Sequence, residues 1–451
     1  MKYYLSCVLV FILLVWIPVE AAFHAWCFNN FDLGIYARAI QDISLGNPNP
    51  WLSVRNINLF RDHFEPVFFL LLPFKSLMTP GLLAIRMDML AILVASLAPV
   101  WLLRRKLVSA DVAVAAAVLI MLSPLTLDGA YFSAHPGTWS LAPLAWMFAF
   151  LFAGLDKAAI AMFILTLMCK EEYPVVGFVL GAVLFLKGRK ETGLVFCVLG
   201  ALWAVGVFFV RPLMLGPSDF HTNTVAHGEG ARFFQDLGGL KILLQRNLEI
   251  FLPIVILLYG RGLVPNMKRM AVPMAVLLTL LAIRYAGGYW GNHRVAPLSV
   301  ASAFFVIYWL GKMQIPPRTV KVFAGCLLAL SVADLELGSR YWLGKPFKKH
   351  CVASEGRLAS LNRAAEYLRA HQDGAVLAGG NLIPPMVDLP GIGHLGDTQA
   401  TEFKYLFIEK GTQRNPWPIT QDEFTLVEQS WRSNPQGHVI QDDDFVLLME
   451  R

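Results

Sequence analysis

The sequence predicts a mainly α-helical fold: a polytopic transmembrane helical bundle, followed by a small C-terminal α/β domain outside the cytoplasm. Hydrophobic residues make up 56% of the 451 residues and charged residues only 16%, whereas soluble domains carry about a quarter charged residues. Apolar runs long enough to cross a bilayer recur along the chain, and the composition becomes polar near residue 336. The net charge of +6 does not indicate nucleic-acid binding, because the basic residues form short clusters between apolar runs.

The apolar runs predict about eleven membrane spans. The first resembles a signal peptide, but the many spans after it favour an uncleaved anchor. Residues 65–79 are apolar but interrupted by three prolines and a lysine, so we expect a helix lying at the membrane interface. The predicted spans are 4–22, 82–103, 108–124, 138–154, 158–169, 174–187, 191–211, 248–263, 270–285, 295–311 and 319–335.

The distribution of basic residues predicts the orientation. Short loops with Arg104-Arg105-Lys106 and Lys187-Gly188-Arg189-Lys190 fall on one side if 65–79 does not cross the membrane, and short basic loops face the cytoplasm. The N-terminus is then cytoplasmic, and the loops rich in unusual polar residues share the opposite face. We therefore expect a multi-pass protein of the cytoplasmic (inner) membrane.

Two domains are expected. Residues 1–335 form the bundle, with an extracytoplasmic first loop at 23–64, and residues 336–451 form the soluble extracytoplasmic domain. In that domain we expect a helix from Leu358 to Ala370 and strands at 375–378, 405–408, 438–440 and 445–448. Cys27 and Cys351 fall on the same predicted side, so a disulfide between them remains an alternative to two free thiols.

The first loop carries the candidate chemistry. Asp32 could act as a general base or a metal ligand, although it also suits a helix N-cap. His63 and Glu65 are two residues apart and would face the same way in an extended segment, where they could meet one ion or substrate group. The alternative is a surface histidine and a glutamate favoured at a helix start.

Other polar groups are predicted to lie on the same face. Lys170, Glu171 and Glu172 lie between two short spans, where charge near lipid is costly and usually functional; a Lys–Glu pair stabilising a turn is the alternative. Arg294 has the planar fork that suits phosphate, or it anchors the interface. We add three candidate substrate-binding residues: Tyr36, His135 and His293.

Several phrases of the sequence are similar to those of a known family. The order of a long outer first loop with an early acidic residue, a returning helix and span–Arg-Arg-Lys–span resembles the GT-C class of membrane glycosyltransferases. More narrowly, about residues 23–450 resemble a bacterial family of multi-pass membrane proteins, the domain of unknown function numbered two thousand and seventy-nine. The matching phrases are Phe31-Asp32-Leu33-Gly34-Ile35-Tyr36, His63-Phe64-Glu65-Pro66, His135-Pro136, Lys170-Glu171 and His293.

The resemblance implies transfer of a sugar from a polyprenyl-phosphate donor to a glycan, lipid or protein acceptor on the outer face. Asp32 would be the catalytic base, with His63, Glu65 and Glu171 as further catalytic groups and Lys170 and Arg294 near the phosphate. A divalent metal ion held by Asp32, His63 and Glu65 is an open alternative. GT-C enzymes often carry adjacent acidic residues in this loop, whereas the neighbours of Asp32 include Asn30 and Leu33.

Two other classes of function stay open. A transporter or lipid flippase would bury ionisable groups near mid-membrane, and the predicted spans are nearly free of charge except for Arg86, Asp88 and Arg284. A non-catalytic assembly protein would use its outer domain to bind a partner.

Overall fold

The computed structural model describes most of the chain. Most of the predicted spans 248–263 and 319–335 and of the predicted loop 212–247 lies outside the described residues, as do His293 and Cys351. The described residues are 2–28, 31–52, 57–132, 134–216, 267–287, 294–311, 354–396, 403–410 and 419–451, with short pieces at 244, 247–250, 319, 322–323 and 325.

Helices dominate the described chain, as the sequence predicts. Every predicted span that falls in it coincides with a helix to within a few residues. The helices are Lys2–Phe11, Ile12–Trp16 (π), Ile17–His24, Phe31–Ser44, Leu59–Asp62, Pro66–Leu77 (3₁₀), Pro80–Arg104, Ala110–Leu122, Pro124–Phe132, Pro136–Trp139, Leu141–Ala153, Asp156–Leu167, Tyr173–Leu186, Lys190–Val205, Gly206–Val210 (π), Arg211–Leu215, Met267–Gly287, Ala296–Leu310, Glu355–Ala370, Pro384–Met386 (3₁₀) and Gln421–Arg432.

Within the described residues, five helical stretches are long and apolar enough to cross a membrane: Tyr3–His24, Pro80–Arg104, Ala110–Phe132, Pro136–Ala153 and Lys190–Leu215. Four shorter apolar helices accompany them: Pro66–Leu77, Tyr173–Leu186, Ala271–Arg284 and Ala296–Leu310. The multi-pass helical architecture predicted from the hydrophobic runs is confirmed.

The helix expected at 65–79 is a 3₁₀-helix, Pro66–Leu77. Pro73 lies inside this segment, and a proline inside an α-helix removes a hydrogen bond and clashes with the preceding turn, whereas Pro66 at the first position is tolerated. Pro73 therefore explains why this apolar segment does not form a regular α-helix. Its position at the membrane surface stays a prediction.

The described chain divides into two compact units. The first comprises Met1–Trp16, Phe60–Val67 and Met87–Ser339, and the second comprises Ile17–Leu59, Phe68–Arg86 and Arg340–Arg451. The first loop is thus split, since Asp32 belongs to the second unit whereas His63 and Glu65 belong to the first.

In the first unit, helices Tyr173–Leu186 and Lys190–Val205 pack closely because glycines face each other. A Cβ on Gly181 would lie 2.6 Å from the carbonyl oxygen of Gly193, and a Cβ on Gly193 would lie 2.5 Å from that of Gly181. Small residues let helix backbones approach in this way. The tight pair fixes the polar turn that precedes Tyr173.

The second unit contains a five-stranded sheet. A two-stranded antiparallel ladder, β1 (Trp51–Leu52) and β2 (Ile57–Asn58), lies in the same unit. The sheet has the order β4-β3-β5-β7-β6, with β3 parallel to β4 and β5 and the other pairs antiparallel. Its strands are β3 (Ala375–Ala378), β4 (Gly393–His394), β5 (Phe403–Glu409), β6 (His438–Asp442) and β7 (Val446–Glu450).

Helix Glu355–Ala370 packs in a core with one set of strand side chains, including Tyr405 and Leu448. Helix Gln421–Arg432 packs with another set, including Leu406 and Leu447. Successive strand residues point to opposite faces, so the two helices cover the two faces of the sheet. The predicted small α/β region at the C-terminus is confirmed.

A buried arginine ties the start of the first loop to this sheet. Arg357 forms an ion pair with Glu409, and both side chains are at most 2% exposed. Arg357 also donates to the carbonyl oxygens of Ala25 at 2.7 Å and Trp26 at 3.1 Å. The chain that leaves the first apolar helix is therefore an integral part of the second unit.

Candidate functional site

Residues 62–65 bring polar side chains into the interior of the first unit. They lie between helix Leu59–Asp62 and the 3₁₀-helix that begins at Pro66, and residues 63–65 have no regular structure. A residue before proline is pushed toward extended backbone. Asp62 and Glu65 are 2% and 0% exposed, so both carboxyl groups are buried.

The turn at 168–172 meets this segment. The backbone N–H of Val67 donates to the carbonyl oxygen of Met168 at 3.2 Å. Lys170 donates from Nζ to Glu65 Oε1 at 2.6 Å, and the backbone N–H of Phe64 donates to Glu171 Oε1 at 2.7 Å. Two segments far apart in sequence are thus joined through both main-chain and side-chain bonds.

His63, Glu65 and Glu171 form what we call the carboxylate–imidazole cluster. One ligand atom from each side chain lies within 4.8 Å of the others, and His63 Nδ1 is 3.6 Å from Glu171 Oε1. Glu65 Oε2 is buried and has no hydrogen-bond partner among the described residues. The structure therefore brings together three predicted site residues, and one carboxylate oxygen of the cluster makes no hydrogen bond to the described part of the chain.

The donor set of this cluster suits a divalent metal ion. One imidazole nitrogen and two carboxylate oxygens are ligands that zinc and other transition metals accept. Lys170 already offsets one negative charge there, so an ion would share Glu65 with the ammonium group. His63, Glu65 through Oε2, and Glu171 are the residues that would hold such an ion.

Burial sets the protonation of the Glu65–Lys170 pair. Burial raises the pKa of Glu65 above its ordinary value, although Lys170 and His63 act in the opposite direction. For Lys170, burial lowers the pKa, but the charges of Glu65 and Glu171 outweigh it and the net pKa is raised. A carboxyl group shifted toward neutrality beside a retained cation is suited to accept and release a proton.

Two further arginines approach the same turn. Arg211 Nη1 lies 3.6 Å from Glu171 Oε1, and Arg284 forms an ion pair with Glu172. Arg211 and Arg284 are each 5% exposed. The turn predicted as a possible Lys–Glu pair is thus part of a larger buried network of both charges.

The other predicted residues belong to different surroundings. His135 is buried at the start of helix Pro136–Trp139, where its backbone N–H donates to Asp88 Oδ1 at 3.4 Å and its ring stacks on Phe132. Arg294 is half-buried and precedes helix Ala296–Leu310, and His293 lies outside the described residues.

Asp32 and Tyr36 lie on helix Phe31–Ser44 in the second unit. Asp32 is within the first turn, where its charge is favoured, and not at the cap position that the sequence suggested. Tyr36 stacks on Phe68 with ring centroids 5.4 Å apart. The meeting of Asp32 with the carboxylate–imidazole cluster stays a prediction.

Sequence reasoning missed Arg211 and His394. Arg211 was placed at the end of an apolar span and given no role, although an arginine inside an apolar helix is itself a functional signal. His394 is buried, and the charge of Asp32 acts on it. No spacing pattern connects residues 32 and 394, so only the folded chain could pair them.

The comparisons with known proteins identify one family. A family model described as a predicted membrane protein (DUF2079) matches residues 24–260, more than half of the chain. A comparison with curated proteins finds no match.

Proposed function

The chain belongs to the DUF2079 family of membrane proteins, and we propose that it is a GT-C-type glycosyltransferase. It would move a sugar from a polyprenyl-phosphate donor to an acceptor on the outer face of the cytoplasmic membrane. The observation that carries the proposal is the carboxylate–imidazole cluster with Lys170, buried beside apolar helices.

Glu65 is the proposed proton acceptor. The acceptor hydroxyl attacks the anomeric carbon while its proton passes to Glu65 Oε2, the oxygen without a partner among the described groups. The bond between the anomeric carbon and the phosphate oxygen breaks, and its electron pair leaves with the polyprenyl phosphate. His63 and Glu171 orient the acceptor or hold a divalent ion, and Lys170 and Arg294 offset charge on the leaving phosphate.

The resemblance gave the role of base to Asp32. Asp32 lies in the second unit, where its charge acts on His394. We assign the proton to Glu65 because its environment raises its pKa toward the range that a general base needs. Sugar transfer by Glu65→Gln and by Asp32→Asn distinguishes the two candidate bases.

An oxidised cysteine supports the proposed orientation. Cys27, just after the first apolar helix, is disulfide-bonded. Disulfides persist outside the cytoplasm and are rare within it. The first loop would then face the outer side, where lipid-linked sugars are used in the proposed reaction.

The test is sugar transfer in membranes supplied with radiolabelled polyprenyl-phosphate sugars. We expect Glu65→Gln to lower transfer by about a hundredfold or more, whereas Glu366→Gln, an exposed control on helix Glu355–Ala370, keeps wild-type transfer. Loss in Asp32→Asn with retention in Glu65→Gln would return the role of base to Asp32. Absence of transfer from every donor in the wild type would overturn the proposal.

A second candidate function is transport. Asp88 and Asp128 are 0% and 5% exposed and lie inside helical stretches long enough to span a membrane. Ionisable groups at such positions often mark a path for ions or substrate. Uptake or flipping of a labelled lipid by proteoliposomes, lost in Asp88→Asn but retained in Glu65→Gln, would favour this candidate.

A further inference from the structure

Helix Lys190–Val205 continues through a π-helical segment, Gly206–Val210, into Arg211–Leu215. An α-helix advances about 100° per residue, so eight residues would leave Trp203 and Arg211 about 80° apart around the axis. The wider π turns advance less per residue, which reduces this offset. The π segment therefore rotates Arg211 toward the face that carries Trp203.

Both side chains lie near Phe64 in the first unit, Trp203 by direct ring contact and Arg211 through Glu171. The ring of Trp203 lies 5.8 Å from the ring of Phe64. The backbone N–H of Phe64 donates to Glu171 Oε1 at 2.7 Å, and the same oxygen lies 3.6 Å from Arg211 Nη1. Trp203 and Glu171 thus contact Phe64 directly, and Arg211 is linked to it through Glu171.

Arg211 is an ion-pair partner of Glu171, but three donor atoms of Arg211 and Trp203 make no hydrogen bond to the described protein groups. Arg211 Nε and Nη1 and Trp203 Nε1 are buried and have no hydrogen-bond acceptor among the described residues. Arg211 is 5% exposed, so it is the deeply buried member of the pair. Buried donors that stay unpaired are costly, and all three can only donate.

Groups that only donate need a ligand that only accepts. Arginine's fork matches phosphate and carboxylate oxygens, and indole N–H adds a third donor direction. The guanidinium of Arg61 packs on Gly216 at the end of the same helix, 3.2 Å from where a Cβ would stand. A second guanidinium group therefore lies near the end of this helix, at a position five residues beyond Arg211.

The same helix also carries apolar side chains that are strongly exposed. Leu202, Phe209 and Leu213 are strongly exposed apolar residues, and the stretch Lys190–Leu215 is apolar and long enough to span a membrane. A ligand that reaches Arg211 along this helix would have an apolar part. We propose that Arg211 and Trp203 bind the phosphate group of an anionic lipid, because the exposed apolar residues of the same helix suit an acyl or prenyl chain.

This inference rests on the proposed function only for the identity of the lipid. The experiment measures binding of polyprenyl phosphate to the detergent-solubilised full chain by native mass spectrometry, with inorganic phosphate and unphosphorylated polyprenol as parallel probes. It needs no sugar transfer. Binding that depends on Arg211 without any transfer would reject the glycosyltransferase and keep the phosphate site, whereas transfer with binding independent of Arg211 would reject the site alone.

We expect Arg211→Gln to weaken binding of polyprenyl phosphate about tenfold to a hundredfold. Trp203→Phe keeps the ring but removes the N–H, and should weaken binding about twofold to tenfold. It also serves as the conservative variant if Arg211→Gln does not fold. Arg211→Lys, which keeps the charge and loses the fork, should recover part of the affinity.

The parallel probes separate the sources of phosphate. Binding of polyprenol should be equal in wild type and variants. If inorganic phosphate binds as tightly as the lipid and depends equally on Arg211, the site takes a free phosphate and the lipid assignment is wrong. Equal affinity of wild type, Trp203→Phe and Arg211→Gln for both phosphate probes would overturn the proposal.

Discussion

Glu65 and Lys170 form an ion pair with 2.6 Å between Oε1 and Nζ, across 105 residues of sequence. The carboxylate is fully buried and the lysine side chain is 15% exposed. Breaking such a pair leaves one charge uncompensated in the interior, which costs more than the pair contributes when it is intact. The pair therefore makes the site sensitive to single substitutions.

We predict that Glu65→Gln or Lys170→Met alone lowers the free energy of unfolding by about 3–5 kcal/mol. The double variant should lose less than the sum of the two, because neither partner is left charged and alone. Denaturation in mixed detergent micelles measures these values. Additive losses would show that the two side chains act independently. An exposed pair, Arg369 and Asp388, provides the control, with about 0–1 kcal/mol expected.

Gly34 makes room for His394, and this explains a glycine inside a helix. A Cβ at position 34 would lie 3.2 Å from His394 Cε1 and 3.4 Å from a side-chain carbon of Ile383. We predict that Gly34→Ala destabilises the protein by about 1–3 kcal/mol through overpacking, although alanine favours a helix by about 0.5–1 kcal/mol.

Thermal unfolding in detergent measures the effect of Gly34→Ala. The combination with His394→Ala should restore most of the lost stability, since it removes the imidazole that the new methyl group meets. Gly206→Ala is the matched control, because a Cβ there meets nothing within 4 Å. Equal behaviour of the two alanine variants would contradict the contact between residues 34 and 394.

The buried imidazole of His394 predicts a pH dependence of stability. Burial lowers its pKa to about 3, and the charge of Asp32 opposes this only in part. In the unfolded chain the pKa of histidine is about 6.5. Between these values the unfolded chain binds more protons, so stability is complete above about pH 6.5 and falls as the pH drops toward 3.

The slope of this loss has an upper limit of about 1.4 kcal/mol per pH unit. This loss of stability can be measured by hydrogen exchange of peptides from β3 and β5 in the full chain. The exchange is followed from pH 7 to pH 4 and corrected for the intrinsic rate. In His394→Gln the slope should become smaller over the same range. An unchanged slope in that variant would show that another group titrates.

Cys27 is disulfide-bonded, and we predict that its partner is Cys351. The pattern of polar residues in the sequence predicts that both cysteines lie on the same side of the membrane. Peptide mapping without reductant should reveal a linked pair that disappears in Cys351→Ser, whereas Cys7→Ser, a free cysteine, leaves it unchanged. A Cys27 peptide linked to Cys326 would disprove the pairing.

The hydrophobic runs were sufficient to predict the helices, because a span must satisfy its backbone within itself and so needs about twenty apolar residues. The strands at 375–378 and 405–408 could be predicted for a similar reason, since short apolar runs between polar turns favour buried strands. Local composition is therefore enough to predict both the helices and these two strands. In the structure, these elements lie within a few residues of the predicted positions.

The two-residue spacing of His63 and Glu65 and the charged turn at 170–172 pointed separately to function. Neither sequence segment, 63–65 or 170–172, predicts that Lys170 pairs with Glu65 or that the backbone N–H of Phe64 donates to Glu171. The same holds for Arg211, whose approach to this turn depends on a π segment that no composition rule predicts. Side-chain partners distant in sequence depend on how helices pack, and one turn of difference would separate them.

A multi-pass helical membrane protein with a C-terminal α/β region could be predicted from the order of residues alone, because hydrophobicity and its period are local properties of the chain. Which polar residues meet depends on the folded chain: His63, Glu65, Lys170 and Glu171 lie with Arg211 in one unit, and Asp32 acts on His394 in the other. A buried charged side chain is stable only when it is paired with an opposite charge or hydrogen-bonded. Packing between segments far apart in the chain determines which partner lies within reach.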